Sequence, residues 1–224
     1  PDYKANRGEP PEELVPQFDL CRELVGCMGF ATVMTPGFEA DDLIASLTDR
    51  YRREGHQVVI VSGDKDLAQL LEPGVKIYNL AKDDWWDVAG VPDRLGVKAS
   101  QVVDLLALTG DVVDNIPGVR GVGPKAATAL LAEFDDLTAI YDNLDRVVDL
   151  PVRGAKSLQR KLAEGKEAAL LSRRLVDLDR QAPCPVEPDD LVYRGAEPAR
   201  LEAFATRWGL GRVANLTPKV AGSD

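Results

Sequence analysis

Seven carboxylates occupy three short clusters along the chain. In chain order they are Glu39, Asp41 and Asp42; Asp64 and Asp66; and Asp111 and Asp114. Carboxylates gathered at one point repel one another strongly unless cations lie between them. Oxygen ligands without histidine or cysteine favour Mg²⁺ or Mn²⁺ over zinc. Two such ions about 4 Å apart would activate water and stabilise the attacking and leaving oxygens of a phosphodiester, so the clusters predict two or more Mg²⁺ or Mn²⁺ ions.

Each cluster taken alone has an ordinary structural explanation. Acidic residues in the first turn of a helix complement the helix dipole, which would account for the Glu39 cluster. Asp64 and Asp66 could be helix caps, and Asp111 could be a turn residue. The occurrence of three clusters in one α/β pattern is what favours the metal site.

The elements that must position these clusters alternate between strand and helix in the first half of the chain. We predict helices at 10–29, 39–53 and from Asp66 onward, strands at 31–36, 57–62 and 75–80, and an edge strand at WWDV. The first helix is supported by apolar residues at helical spacing, namely Leu14, Phe18, Cys21, Val25 and Met28. The run QVVIVS is of the type buried on both faces of a parallel sheet. An α/β fold with a mostly parallel sheet is therefore expected, and ligands of such sheets bind beyond the carboxyl ends of the strands.

From about residue 100 the pattern is almost entirely helical. Helices are expected at 100–109, 124–134, 136–144, 154–163 and 166–175 and, after the proline-rich break QAPCPVEP, at 197–208. Within this half, Gly118, Gly121 and Gly123 would let the backbone approach a phosphate closely. The helix that follows would bind the phosphate through its N–H groups, with Lys125 adding charge.

A tight helix–helix turn is the alternative explanation of these glycines. The residues around them favour a helix-hairpin-helix motif, which holds the DNA backbone without reading sequence; they are Ile116, Val119, Val122 and the pair Pro124 and Lys125.

Charge is distributed unevenly. The net charge of −10 argues by itself against a nucleic-acid partner. However, residues 38–114 contain 15 acidic and 8 basic side chains, whereas residues 151–174 contain 7 basic and 2 acidic ones. This fits a protein that holds cations in one place and phosphates in another. Three cysteines and the single His56 exclude an ordinary structural zinc site, and without a long apolar run we expect a cytoplasmic, nucleoid-associated protein with no membrane contact.

Four segments together resemble one known family. PDYKANR, FEADDLIA, VVIVSGDKDLAQLL and LTGDVVDNIPGVRGVGPKAA occur here in the order found in the bacterial 5′-nucleases, which include the 5′→3′ exonuclease domain of DNA polymerase I and free-standing flap endonucleases. The similarity extends from residue 2 to about residue 210. It implies a PIN-like nuclease core with a remnant of a helical arch at 1–99. It also implies a helical DNA-binding region at 100–224, containing the helix-hairpin-helix (helix-three-turn-helix) and C-terminal helices that pack on the core.

The resemblance implies a structure-specific 5′-nuclease of DNA replication and repair that hydrolyses phosphodiesters with two metal ions. The seven carboxylates then look like metal ligands. Lys4 and Arg7 match basic residues of the arch that would neutralise the scissile phosphate, and Tyr3 could stack on a base. The other DNA-binding residues implied are Gly118, Arg120, Gly121, Gly123, Lys125, Arg153 and Lys156. A bound K⁺ on hairpin carbonyls is also implied.

Without the resemblance, Lys4 and Arg7 would be read as a solvated N-terminus, and Arg153 and Lys156 as a solvated basic face. Two departures from the family pattern stand out. The family begins with a strand that carries a further aspartate, and we expect that strand upstream of residue 1. Val112 and Val113 replace small hydroxyl residues, which removes hydrogen bonds around the metal ligands.

Four functions compete. The expected substrate of the nuclease is DNA with 5′ flaps, nicks, gaps or branches, including RNA primers, and the expected protein is a monomer with a functional link to a DNA polymerase and ligase. A non-catalytic relative that binds branched DNA is the first rival. A PIN-type ribonuclease is disfavoured by the hairpin, and a phosphatase built on Asp64 and Asp66 lacks the surrounding pattern.

Overall fold

The structure is a computed structural model that describes residues 3–6 and 8–213. These residues form two compact units. One comprises Glu39–Ala182 with the described residues up to Gly8, and the other comprises Glu9–Phe38 with the described residues from Pro183 onward. No helix in these ranges is long and apolar enough to cross a membrane. The predicted domain boundary at residue 99 stays a prediction.

The α-helices of the described chain match the predicted positions closely, except that the short helix α3 was not predicted. They are α1 (Val15–Cys27), α2 (Ala40–Arg53), α3 (Val91–Leu95), α4 (Val102–Thr109), α5 (Pro124–Phe134), α6 (Leu137–Asp142), α7 (Ala155–Glu164), α8 (Lys166–Val176) and α9 (Pro198–Trp208). The helix predicted from Asp66 onward is instead a short 3₁₀ helix, Asp66–Leu70. Its backbone is held by the buried Gln69, whose amide donates to the carbonyls of Asp66 and Val176, both at 3.0 Å.

The sheet has three strands in the order β1 (Val58–Val61), β2 (Val75–Asn79) and β3 (Asp84–Trp86). β1 and β2 are parallel, whereas β3 is the predicted edge and runs antiparallel to β2. The prediction that β1 is buried on both faces is wrong. Ile60 is buried, but Val59 and Val61 on the other face are 50% and 62% exposed, because in the described chain only one face of the sheet packs against helices.

The core of the first unit extends from this sheet into the helical region. α4 packs between α5 and α8, and the fully buried leucines Leu67, Leu108 and Leu130 belong to one continuous cluster. Asp104 lies inside this cluster, where its carboxylate accepts hydrogen bonds from Arg173 Nε at 2.7 Å and the Leu137 amide at 3.2 Å. A buried carboxylate with two charge-assisted partners fixes the relative positions of α4, α6 and α8.

In the second unit α1 packs against α9, and the buried residues are Cys27, Leu201 and Phe204. The predicted apolar face of α1 is largely wrong, since Phe18 and Cys21 are exposed. The contact with α9 is made chiefly by Leu20 and Leu24, which lie outside the predicted row, together with the predicted Met28. The strand predicted at 31–36 does not form; Thr35 donates a side-chain hydrogen bond to the Pro183 carbonyl at 2.6 Å, and no ladder partner lies beside the segment in the described chain.

Candidate active site

The loop after β1 positions the second carboxylate cluster. The Asp64 amide donates to Ser62 Oγ at 3.0 Å, and Asp64 Oδ1 accepts from the Asp66 amide at 2.9 Å. These bonds form a tight turn that ends in the first residue of the 3₁₀ helix. Asp64 and Asp66 are therefore held at the carboxyl end of a parallel strand, where the sequence placed them.

Asp66 is held in an environment that disfavours its charged form. Its Oδ1 atom is buried and has no hydrogen-bond partner among the described residues. Burial, followed by the neighbouring charge of Asp64, raises the pKa of Asp66 to about 6. A buried carboxylate oxygen without a donor is destabilising unless something absent from the chain satisfies it, and a cation fits that requirement.

The third cluster lies in the turn after α4. Asp111 pairs with Ile116 in an antiparallel bridge, and its Oδ1 accepts from the Val113 amide at 2.7 Å. Its Oδ2 lies 3.2 Å from Lys65 Nζ. Burial by itself would raise the pKa of Asp111, but the Val113 amide and the Lys65 ammonium outweigh it and hold that pKa below its usual range. Val112 and Val113 point outward, at 88% and 68% exposure.

One cleft unites the second and third clusters. It has a volume of about 660 Å³, and the carboxylates that line it are Asp64, Asp66, Asp84, Asp111 and Asp114. Four of these were predicted to bind metal. In the described chain no three His, Cys, Asp or Glu side chains stand in a ready-made metal-binding arrangement, and Lys65 occupies part of the cluster through its bond to Asp111.

The first cluster, Glu39, Asp41 and Asp42, lies at the N-terminus of α2, and its members have two different roles. Both Asp42 oxygens accept backbone bonds, from the Glu39 amide at 3.1 Å and the Asp179 amide at 3.0 Å. Asp41 faces the second cluster: burial and the nearby charge of Asp64 raise its pKa. Glu39 forms an ion pair with Lys4. The geometry thus separates Asp42, which holds the backbone, from Asp41 and Glu39, which remain near the predicted site.

Lys4 connects two of the clusters. Its amide donates to the Asp114 carbonyl at 3.0 Å, and its ammonium contacts Glu39 and lies 4.8 Å from the centre of the Tyr3 ring. Burial alone would lower the pKa of Lys4, but its hydrogen bonds to Glu39 and Tyr3 raise it overall. Arg7 lies outside the described residues.

The hairpin begins where α4 ends. Gly118 has φ +57°, and a β-carbon there would lie 2.4 Å from the Gly110 amide nitrogen. The Gly118 amide donates to the buried Ser172 Oγ at 2.9 Å. Gly118 is therefore explained by close backbone packing, and its N–H group already has a partner inside the protein.

The outer part of the hairpin is more open. Gly123 lies directly before α5, and a β-carbon added to it would meet no atom of the described chain within 4 Å, while Lys125 in the first turn is exposed. Gly121 differs, since its carbonyl accepts a bond from Lys161 Nζ at 3.0 Å. Arg120, Arg153 and Lys156 are exposed, so they are accessible to a polyanion.

The sequence analysis missed Asp84, which lines the cleft, and three residues that contact predicted site residues. Lys65 pairs with Asp111, Lys161 with the Gly121 carbonyl, and Ser172 with the Gly118 amide. Lys65 lies between the predicted ligands Asp64 and Asp66 in the sequence, and this position could have identified it as a site residue. Nothing in the local sequence pointed to Lys161 or Ser172, because each reaches the hairpin from a distant helix.

Two family models match consecutive parts of this chain. Residues 1–96 match the family model of the 5′-3′ exonuclease N-terminal resolvase-like domain, and residues 97–199 match that of the 5′-3′ exonuclease C-terminal SAM fold. The 5′-3′ exonuclease of Buchnera aphidicola subsp. Acyrthosiphon pisum is 34% identical over 193 residues, which are 86% of this chain and 68% of that protein. This chain belongs to the 5′-3′ exonuclease family.

Other 5′-3′ exonuclease relatives are longer. The DNA polymerase I of Rhizobium leguminosarum is 40% identical over 204 residues, which are 90% of this chain but only 19% of that protein. A solved structure of the T5 5′-exonuclease with bound zinc ions superposes with a TM-score of 0.65 at 25% identity, covering 96% of this chain and 78% of that one. The assignment to this family, the α/β fold and its helical region are confirmed by these matches.

Proposed function

We propose that this 5′-3′ exonuclease family member hydrolyses DNA phosphodiesters near 5′ ends, at flaps, nicks and gaps, with two or more Mg²⁺ or Mn²⁺ ions. The observation that supports this most directly is the buried, unpartnered Asp66 oxygen in a cleft lined by three further predicted ligands. The T5 5′-exonuclease, which shares the fold, contains bound divalent ions.

The donor set fits hard divalent cations. Asp64, Asp66, Asp111 and Asp114 would hold the ions from the cleft, and Asp41 and Glu39 would complete the ligand set from the start of α2. When bound, such ions supply an activated water and stabilise the charge that develops on the phosphodiester oxygens. Asp42 would act indirectly, since its two oxygens hold the amides of Glu39 and Asp179 and so fix the first turn of α2.

The two lysines at the cluster have a separate role. Lys4 and Lys65 now pair with Glu39 and Asp111. If Glu39 and Asp111 held a cation, both ammonium groups would be free to contact a phosphate. In that position they would stabilise negative charge in the transition state, and Arg7 is assigned the same function.

The hairpin would hold the duplex backbone at a fixed distance from the cleft. The first-turn amides of α5, the open Gly123 and the exposed Lys125 offer a phosphate site of the helix N-terminus type. Arg120, Arg153 and Lys156 would extend that contact along the backbone, and Tyr3 would stack on a base. Gly118 and Gly121 would act through the shape of the hairpin.

The proposed location and partner proteins follow from DNA as the substrate. DNA as the partner implies a location at the nucleoid, and the match to DNA polymerase I implies a link to a polymerase and a ligase that would fill and seal the cut. RNA primers are the natural 5′ segments for such an enzyme to remove. A monomer completes the proposal, and at the hairpin the Lys161 ammonium on the Gly121 carbonyl takes the place of the K⁺ ion expected from the sequence.

The test is cleavage of a 5′-flap DNA with Mg²⁺ by the full-length protein that includes the expected upstream strand, as wild type, Asp64→Asn and Asp145→Asn. Asp145 is an exposed carboxylate that does not line the cleft. Wild type and Asp145→Asn should cut, and Asp64→Asn should lose at least about a hundredfold in rate while binding DNA normally. Parallel loss of binding and cutting in Asp64→Asn would contradict the metal role. Binding without cutting by the wild type would instead support a non-catalytic DNA-binding protein.

A further inference from the structure

The cleft extends beyond the metal carboxylates toward the β2–β3 connection. The lining there contains Asp84 together with Asn79, Lys82, Trp86 and Arg94, and we call the last four residues the β2–β3 wall. The total volume of about 660 Å³ lies within the range of about 300–1,000 Å³ typical of small-molecule sites. Room therefore remains beside the four predicted ligands for part of a nucleotide.

The side chains of Arg94 and Trp86 lie against each other in this wall and are held by hydrogen bonds; we call this pair the Trp86–Arg94 plate. The Arg94 guanidinium makes two bonds to the Asp84 carboxylate, one at 2.8 Å, and a third to the Trp85 carbonyl at 3.0 Å. It lies 4.6 Å from the centre of the Trp86 ring. Trp86 Nε1 also donates to Asp84, at 3.1 Å. Groups held by this many bonds need little reordering when a ligand arrives.

Lys82 adds a cation with no carboxylate partner. Of the three basic residues that line the cleft, Lys65 pairs with Asp111 and Arg94 pairs with Asp84. No described carboxylate lies within ion-pair distance of the Lys82 ammonium, and its side chain is exposed. Its backbone is fixed, because the Lys82 amide donates to Asn79 Oδ1 at 3.2 Å. An unpaired ammonium beside a strongly acidic cluster is suited to an incoming phosphate.

Strand alternation separates Trp86 from its neighbour Trp85. Trp86 pairs in register with the buried Ile77, whereas Trp85 pairs with Tyr78 on the opposite face of the sheet. Only Trp86 lines the cleft. The two adjacent tryptophans thus provide a matched pair, one inside the cleft and one outside it.

We propose that the β2–β3 wall binds the unpaired nucleotide next to the scissile phosphodiester. Lys82 contacts its phosphate, and the Trp86–Arg94 plate lies against its base. This rests on the proposed nuclease function and names the substrate feature that the cleft recognises, namely a single-stranded 5′ segment. Stacking tolerates every base, so the wall selects for an unpaired strand and is indifferent to sequence.

The first test compares Lys82→Ala with Lys76→Ala in the cleavage of a 5′-flap DNA. Lys76 is another exposed lysine, on β2 and outside the cleft. We expect Lys82→Ala to raise KM about tenfold with kcat within about twofold of wild type, and to reduce the salt slope of binding by about one. Lys76→Ala should leave both unchanged. Equal KM values in the two variants would overturn the role of Lys82.

The second test uses tryptophan emission. The double variant W85F/W208F keeps only Trp86, and W86F/W208F keeps only Trp85. Addition of a ten-nucleotide oligothymidylate, with Ca²⁺ to prevent cutting, should quench the emission of Trp86 and leave that of Trp85 unchanged. Equal quenching of both, or of neither, would overturn the proposed wall. If the wild type does not cut a flap but the emission of Trp86 in W85F/W208F is still quenched, the nuclease function is contradicted and the single-strand site remains.

Discussion

Gly110 and Gly118 meet through their backbones, so that a β-carbon on Gly118 would come within 2.4 Å of the Gly110 amide nitrogen and 2.6 Å of the Thr109 carbonyl carbon. Between these glycines the chain makes the Asp111 turn, and beyond Gly118 it makes the hairpin. The contact therefore fixes the spacing between the carboxylates that would cut and the loop that would hold duplex. Because it is made by backbone atoms, side-chain changes nearby cannot easily alter that spacing.

Substituting Gly118 by alanine should destabilise the fold. The residue has φ +57°, which disfavours any side chain by about 1–2 kcal/mol, and the new methyl group would meet backbone atoms that cannot move aside. We expect the Tm to fall by at least about 4 °C, given about 2–4 °C per kcal/mol at this chain length. Thermal unfolding followed by circular dichroism measures the change.

Gly123→Ala is the matched control for that substitution. Its φ is −100°, and a β-carbon there meets nothing within 4 Å in the described chain, so the free energy of unfolding should change by less than about 0.5 kcal/mol. Duplex binding should nevertheless weaken, because the methyl group blocks close approach of a phosphate. Equal stability of both variants would show that the Gly110 contact is not tight in solution.

Asp66 and Asp111 should respond oppositely to replacement by asparagine. Asp66 has a buried, unpartnered oxygen and lies among other carboxylates, so neutralising it without metal should raise the Tm by about 2–4 °C, which corresponds to about 1 kcal/mol. Asp111 accepts bonds from Val113 and Lys65, so its neutralisation should lower the Tm. Both variants should lose cleavage.

Melting curves in EDTA, together with flap cleavage in Mg²⁺, check this pair. An increase in stability that accompanies a loss of activity is expected of a group placed for a ligand and not for the fold. If Asp66→Asn melts below the wild type, Asp66 is stabilised by contacts within the chain and the argument from its unpartnered oxygen is wrong.

The spacing of apolar residues predicted most of the helices, because each helix buries one face in the hydrophobic core of its own unit. The same spacing predicted burial wrongly where the exposure of a residue depends on which other elements pack against it. The run at 57–62 was read as buried on both faces, yet Val59 and Val61 are exposed, since an apolar strand reads the same whether one face or two is packed. For α1 several apolar rows were available, and the row that meets α9 contains Leu24 and Cys27.

At the site, local sequence predicted four of the carboxylates that share the cleft, Asp64, Asp66, Asp111 and Asp114, but it did not predict Asp84. It could not predict which oxygens are already engaged. Asp42 is satisfied by an amide from residue 179, and the Gly118 amide by Ser172. Such partners depend on the packing of α8 and the segment after it, which no short motif encodes.

Lys125 is expected to contribute one phosphate contact. Lys125→Ala should weaken duplex binding and reduce the slope of log K against log salt by about 0.9, the value for one released counterion. Lys98→Ala is the control, since Lys98 is also exposed but pairs with Asp135 at 2.9 Å. Fluorescence anisotropy titrations at several salt concentrations measure both slopes, and identical slopes for the two variants would remove Lys125 from the interface.

Because Lys161 contacts a hairpin carbonyl, duplex binding by the hairpin should not depend on bound K⁺. Its ammonium donates to the Gly121 carbonyl at 3.0 Å, and its methylenes pack where a Gly121 side chain would lie. An ammonium on this carbonyl already satisfies an oxygen that a monovalent cation would otherwise contact. Duplex binding by the wild type should therefore be the same in KCl and in tetramethylammonium chloride at equal ionic strength.

Lys161→Ala should bind duplex more weakly than the wild type in tetramethylammonium chloride and recover part of the loss in KCl, because a small cation can then reach the Gly121 carbonyl whereas the large organic ion cannot. Lys156→Ala removes an exposed lysine from the same helix and should weaken binding equally in both salts. Isothermal titration with a blunt duplex distinguishes these patterns. A wild type that already gains affinity in KCl would show that the hairpin holds its cation at carbonyls which Lys161 does not reach.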